Sequence, residues 1–334
     1  MVSLTPMDER FVHQLPEPLP NVVTPHPHWR ESYFFVMHGR GPDAGEGDVP
    51  IVAMAHYPAR GILDALLMGR WGGGSPGLRR YERPYGDDPH TTVVDKVAVE
   101  VVEPFRTLRL TGDDPDNGFA MDITFTARTR ACGLRRGRLM DGSELLWDQS
   151  HMIQSGVYSG TYTANGQTIE IDDWWGQRDH SWGIRNHGRI PLWMWLAIQF
   201  DDGMLGLWNW ELANGAPVFL DGCWAPAGDA ELVPVVGFQH DLQWTDDDGK
   251  PVEWGTDGSA VAGVSGEVAV RLASGEELRI EGSGTWCAPY KPFYGGGQHL
   301  MQVTTSDGRT GNGVYEITGG HHHRFFTTDV RRPT

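Results

Sequence analysis

Apolar and polar positions alternate with period two through most of the chain. Met121, Ile123, Phe125 and Ala127 alternate with Asp122, Thr124, Thr126 and Arg128, a spacing that puts one set on each face of a half-buried strand. Val97, Val99 and Val101 repeat it. In the second half PLWMWLAIQF, Asp201-Asp202-Gly203, MLGLWNWELA, Asn214-Gly215 and PVFLDG follow one another. Asp-Gly and Asn-Gly supply the positive φ of tight turns, so this stretch predicts a three-stranded antiparallel meander. Ser274-Gly275, between GEVAVRLA and EELRIEG, and Ser306-Asp307-Gly308, between HLMQVTT and RTGNGVYEIT, predict two more hairpins. Helical spacing occurs at Ile62, Leu63, Leu66 and Leu67 after Pro58, a segment equally readable as strand and loop. Many short strands with almost no helix predict an all-β sandwich or barrel.

The 334 residues leave room for two domains of about 150 residues. NVVTPHPHWRES, with Pro25 and Pro27, reads as an ordered arm, and Asn165-Gly166 marks a boundary between a domain over 1–165 and another over 166–334. With 27 basic against 44 acidic side chains the net charge is −17, a field that repels nucleic acids and anionic membranes. Much of the excess lies between Ala225 and Gly282 and reads as a solvated face. The cysteines Cys132, Cys223 and Cys287 are odd in number and lack CxxC spacing, which argues against disulfides and zinc ribbons and fits a reducing cytoplasm. No basic leader precedes an apolar core, and no apolar run reaches the roughly 18 residues of a bilayer span, so a cytoplasmic protein without membrane insertion is expected.

Candidate chemistry concentrates in IDDWWGQRDHSWGIRNHG, Ile171 to Gly188, which crowds Asp, His, Arg and Trp between glycines. Charged groups beside large aromatics are costly unless paired, so such a mixture marks a cavity wall. If the segment is extended, Arg178, His180 and Trp182 share one face, and Gln177, Asp179 and Ser181 share the other.

This motif resembles the carotenoid 1,2-hydratase-like (hydroxyneurosporene synthase-like) superfamily, and in particular a bacterial branch carrying G-x-R-D-H-S-W-G. Gln154, Gly156 and Gly160 in HMIQSGVYSGTYTANG, together with WRESYFF and GNGVYE, extend the likeness over most of the chain. The resemblance implies two lipocalin-like antiparallel β-barrels packed together. It also implies an active site lined by a His-x-Trp pair, matched by His180 and Trp182, and by a Tyr-x-Asp pair. Where the second pair would fall, this chain has Trp208-Asn209-Trp210-Glu211.

Hydration of an alkene, dehydration of a tertiary alcohol and polyene cyclisation pass through cation-like states. They need a proton donor and a stabiliser of positive charge that does not itself react. A buried carboxyl can donate, and a Trp face stabilises a cation by about 0.5–2 kcal/mol. The chain therefore reads as a cofactor-independent lyase or isomerase, of hydratase, dehydratase or cyclase type. Its substrate would be a hydrophobic terpenoid, steroid or polyketide-like molecule. Asp179 is the expected acid or the partner that orients His180, His180 the proton shuttle, and Trp182 the cation stabiliser. Trp175, Arg178, Trp208, Trp210, Glu211, Tyr33 and His38 are expected to contact substrate. Arg178 and Arg185 would hold carboxylates, with Asp172, Asp173 and Glu211 as reserve acids. The alternative is a noncatalytic carrier using the same cavity, and a buried carboxylate hydrogen-bonded to histidine would favour the enzyme. Neither His26-Pro27-His28 nor His321-His322-His323 offers a three-ligand metal set, and no phosphate loop is visible, so neither metal nor nucleotide is expected. A homodimer is compatible with the sequence and not specified by it.

Overall fold

The computed structural model describes residues 3–11, 13, 26–41, 47–74, 76–84, 91–164, 166–189, 191–212, 214–253, 261–289 and 295–319. Of these, 71% lie in strands and 4% in helices, which meets the all-β expectation. None of the described helices is long and apolar enough to cross a membrane. The chain divides into two compact units, Met1–Gly39 with Asp48–Arg185, and Arg40–Gly47 with Asn186–Thr334. The break thus follows Arg185 rather than residue 165, because the strand that ends at Arg185 is paired along its length within the first unit.

The first unit contains β1 (Trp29–His38), β2 (Val49–Tyr57), β3 (Ile62–Arg70), β4 (Gly77–Pro84), β5 (Val93–Val94), β6 (Val97–Glu103), β7 (Thr107–Asp114), β8 (Phe119–Ala127), β9 (Cys132–Gly133), β10 (Gly137–Asp141), β11 (Glu144–Ala164) and β12 (Gln167–Arg185). They form one antiparallel sheet in the order β4-β3-β2-β1-β12-β11-β8-β7-β6-β5, with β9 and β10 paired to β11. Tyr33, Phe35, Met37, Met54, Leu110, Ile123, Phe125 and Tyr158 build its core from alternate positions. The segment with helical spacing is strand β3. Gly61, at φ 64°, ends the Pro58–Arg60 turn and sends the chain back along β2, where nine ladder positions outweigh a weak helical period. Trp29–Ser32 of the expected arm belong to β1, and residues 21–25 lie outside the described residues.

The second unit contains β13 (Leu192–Phe200), β14 (Gly203–Glu211), β15 (Pro217–Pro226), β16 (Val233–His240), β17 (Gln243–Thr245), β18 (Pro251–Val252), β19 (Gly263–Leu272), β20 (Glu277–Pro289), β21 (Gly295–Thr305) and β22 (Thr310–Gly319). The order β16-β15-β14-β13-β22-β21-β20-β19 closes through β16–β19 into an eight-stranded barrel. The predicted meander is β13-β14-β15, and the two further hairpins are β19-β20 and β21-β22. Leu196, Ile198, Leu205, Leu207, Val268 and Ile280 are among the side chains that fill the interior.

Gly183, the last residue of the RDHSWG motif, has a backbone reason to be glycine. Its φ is +136°, and a Cβ there would lie 2.1 Å from the Asp148 carbonyl oxygen across the β11–β12 ladder. Gly183→Ala is therefore expected to lower the unfolding free energy by about 1–3 kcal/mol in urea titration. An unchanged midpoint would show that the ladder relaxes at no cost.

Candidate active site

β1 lies between β2 and β12, and its register sets the site. Glu31 stands opposite Trp182 on one side and His56 on the other, Tyr33 stands opposite His180, and Phe35 opposite Arg178. Strand alternation turns Glu31, Tyr33, Arg178, His180 and Trp182 to the core side. Gln154 of β11, opposite Arg178, joins them.

The rest of the constellation comes from the N-terminal segment. Thr5 donates through its backbone N–H and its hydroxyl to Asp8 Oδ2 (2.6 and 2.7 Å), closing a short 3-10 turn over Pro6–Glu9. Asp8, Glu9, Phe11 and His13 are all buried. Its described residues form no ladder, and side chains hold them. Glu9 receives Arg178 Nη1 and Nη2 at 2.5 and 2.8 Å, and also the Phe105 N–H at 2.6 Å. Arg178 Nε and Nη2 donate to Gln154 Oε1 (3.0 and 2.6 Å), and Gln154 Nε2 donates to the carbonyls of Phe105 and Thr129. The Tyr33 hydroxyl donates to the Glu9 carbonyl, and Phe11 stacks on the Tyr33 ring at 4.4 Å.

At the centre a single oxygen, Glu31 Oε1, accepts from His13 Nδ1 at 2.6 Å and from His180 Nε2 at 3.0 Å. Glu31 Oε2 accepts the His13 backbone N–H at 3.0 Å, and His13 Nε2 donates to Asp8 Oδ1 at 2.9 Å. The side chains of Asp8, His13, Glu31 and His180 are fully buried. Trp182 lies flat on His13, 3.7 Å between centroids and 12° between planes, and the Tyr33 ring is 4.6 Å from that of His180.

These contacts fix the charges. Burial alone would discharge His13, but Glu31 and Asp8 outweigh it and raise its pKa to about 9. Burial would likewise raise Glu31, yet the charge on His13 and hydrogen bonds from both histidines hold it below the ordinary carboxylate value. Asp8 is lowered to about 2, burial being outweighed by bonds from His13 and Thr5. Glu9 is also lowered, Arg178 overcoming its burial. Ionised carboxylates only accept, so both nitrogens of His13 carry protons, as does His180 Nε2. His180 Nδ1 is buried and has no hydrogen-bond partner among the described residues.

The structure thus brings together Tyr33, Arg178, His180 and Trp182 and leaves other expected residues elsewhere. Asp179 points to the opposite face, its Oδ2 3.2 Å from His151 Nε2, so Glu31 rather than Asp179 orients His180. Trp175 shares the Asp179 face, with the Arg128 guanidinium 4.6 Å over its ring. His38 also alternates away from Tyr33. Its Nδ1 bonds the Gly39 carbonyl at 2.8 Å, and burial lowers its pKa to about 4. Arg178 does hold a carboxylate, whereas Arg185 donates to the Ser181 carbonyl and hydroxyl oxygens. Asp172 and Asp173 are exposed at the register shift between Ile171 and Trp174, where β12 faces Tyr158–Gly160 of β11. Trp208, Trp210 and Glu211 belong to the second unit, where both indoles pack on Phe219 and Glu211 accepts from Asn209 and His240. His321–His323 lie outside the described residues. Sequence reasoning missed Asp8, Glu9, His13 and Glu31. The one available signal was Glu31, an acid at the alternation positions shared by Trp29, Tyr33 and Phe35.

Comparison with solved structures returns the same fold. Kievitone hydratase from Nectria haematococca is 13% identical, with 86% of this chain and 88% of that chain covered and a TM-score of 0.56. An AttH-like protein from Nitrosomonas europaea is 13% identical over 88% and 94% of the two chains, with a TM-score of 0.57. CghA, solved with Sch210972, is 11% identical over 93% and 97%, also with a TM-score of 0.57. All three have the carotenoid hydratase-like, lipocalin-like fold. At such identities the likeness carries architecture and no residue roles. A search of the curated proteins returns no match. The family of unknown function DUF8625 matches residues 4–270, from the segment that carries Asp8 and His13 through most of β19, and the chain belongs to that family.

Proposed function

We propose that the chain is an acid–base lyase or isomerase, of hydratase, dehydratase or cyclase type, acting on a hydrophobic small molecule without a cofactor. The observation that carries this reading is the buried Glu31 carboxylate bonded to His180, whose Nδ1 has no partner. A carrier needs no such dyad, and an ionised carboxylate is costly to bury for storage alone. Two of the neighbours of like fold, kievitone hydratase and CghA, are hydratase- or cyclase-type enzymes, which supports the general kind. Membership of the branch marked by G-x-R-D-H-S-W-G is part of the same proposal.

In this mechanism His180 Nδ1 takes a proton from a carbon next to the electron-poor centre, and Glu31 stabilises the imidazolium that forms. Run in reverse, the same nitrogen delivers the proton to an alkene. Protonated His13 shares Glu31 Oε1 with His180 and keeps that carboxylate ionised, while His180 Nδ1 exchanges its proton with solvent between turnovers. The Glu31 carboxylate and the Trp182 and Tyr33 rings stabilise a cationic intermediate. Arg178 and Glu9 act as a clamp that fixes the N-terminal segment against Tyr33. Asp179, on the other face, takes no part.

On a panel of terpenoid tertiary alcohols and polyenes, His180→Gln is expected to abolish turnover and Glu31→Gln to lower it by about 10²–10⁴-fold, whereas Asp179→Asn keeps most of it. Loss with Asp179→Asn but not with Glu31→Gln would reverse the assignment. In deuterated water the product should carry deuterium at one carbon, and an unlabelled ligand recovered unchanged would identify a carrier.

The charges also predict a stability profile. His13 has a folded pKa of about 9 against an ordinary 6.5. Its contribution is complete below about 6.5 and is lost as pH rises toward 9. Urea midpoints of metal-free protein should fall across that window by an amount worth a few kcal/mol, and His13→Gln should flatten the slope. A wild-type profile as flat as that of the variant would show that His13 is not held protonated.

A further inference from the structure

We propose that His13 Nδ1, Glu31 Oε1 and His180 Nε2 also form a site for a divalent transition-metal ion of the zinc class, and that its binding switches off the proton transfer. This inference rests on the reading of the same constellation as an acid–base site, and it concerns how that site is regulated.

The three donor atoms lie within 4.8 Å of one another, on three fully buried side chains. A tetrahedral zinc ion with bonds of about 2.0–2.2 Å needs its donors roughly 3.3 Å apart. The present separations from Glu31 Oε1, 2.6 and 3.0 Å, therefore need to lengthen by less than about 1 Å. Two imidazoles and one carboxylate are a common set for zinc and for ferrous iron, leaving further positions for water.

The surroundings are those of a metal site. Asp8 accepts from His13 Nε2, the outer carboxylate that fixes a ligating imidazole, and Trp182 stacks on the same ring. Glu31 Oε2 is tied to the His13 backbone N–H, which leaves Oε1, the oxygen both imidazoles already face, to ligate the ion. Charge fits as well. When His13 gives up one proton, Asp8, Glu9 and Glu31 face only Arg178, and a dication cancels the resulting net charge of −2.

The proton balance shows why the ion inhibits. Metal binding at His13 Nδ1 releases that proton to solvent. At His180 the ion takes Nε2, so the ring proton moves to Nδ1 and covers the lone pair that serves as base. No redox step is involved. Because the described residues around His13 and Asp8 have no ladder pairing, the ion also fastens residues 3–11 and 13 to β1 and β12.

The test titrates zinc chloride into the full, chelator-treated chain by calorimetry in buffers of different ionisation enthalpy, with no substrate present. One ion per chain with a micromolar or tighter Kd, and about one proton released, is expected. Glu31→Gln and His13→Gln should each weaken binding at least 100-fold and Asp8→Asn about tenfold. Replacing His321, His322 and His323 together by Ala should change nothing. Amide exchange over residues 3–13 should slow when zinc binds. Binding that is absent at micromolar zinc, or that survives both Glu31→Gln and His13→Gln, or that disappears with the C-terminal histidines, overturns the proposal. If Glu31→Gln does not fold, Asp8→Asn with its tenfold loss decides. Zinc bound at these ligands in a protein that turns over nothing would sink the catalytic reading alone. Turnover without zinc binding would sink only this one.

Discussion

One carboxylate oxygen, Glu31 Oε1, ties the N-terminal segment to the paired strands β1 and β12. It accepts from His180 on β12 and from His13 on the N-terminal segment, and it belongs to β1. A buried carboxylate is tolerated only when nearly every lone pair is used, and the second oxygen is used by the His13 backbone. Removing either histidine would leave a buried charge short of a partner, a loss on the order of 3–5 kcal/mol. Fold and candidate chemistry therefore depend on the same atom.

The Arg178–Glu9 pair performs a parallel task a few ångströms along the sheet. Arg178 bonds Glu9 and Gln154, and Gln154 in turn satisfies the carbonyls of Phe105 and Thr129. A network of this kind is stable because every member is paired, and it fails as a unit when one is not. It also lets a segment without ladder bonds be held firmly enough to place His13 against Trp182.

Alternation along β12 separates two environments. Arg178, His180 and Trp182 face the histidine and carboxylate network, while Gln177, Asp179 and Ser181 face away, with Asp179 beside His151. Adjacent residues of one motif thus differ in role because a strand turns successive side chains to opposite sides. Gly183 ends the motif at a backbone crossing where no side chain fits.

Much of this was legible in the chain. Period-two spacing and Asp-Gly, Asn-Gly and Ser-Gly turns determine the strands and hairpins, because they depend only on neighbouring residues. The same local rule is enough to place Arg178, His180 and Trp182 on one face. Gly61, by contrast, converts an ambiguous segment into β3 only through pairing with β2. The partners of His180 and Arg178 were beyond reach, since Glu31 is 149 residues from His180 and Glu9 is 169 from Arg178. In sequence, PMDERFVH reads as an ordinary polar start, and nothing local says that its acids and histidine are buried. The histidine dyad arises only when β1 pairs with β12, because local pattern sets which way a side chain points and tertiary pairing sets what it meets.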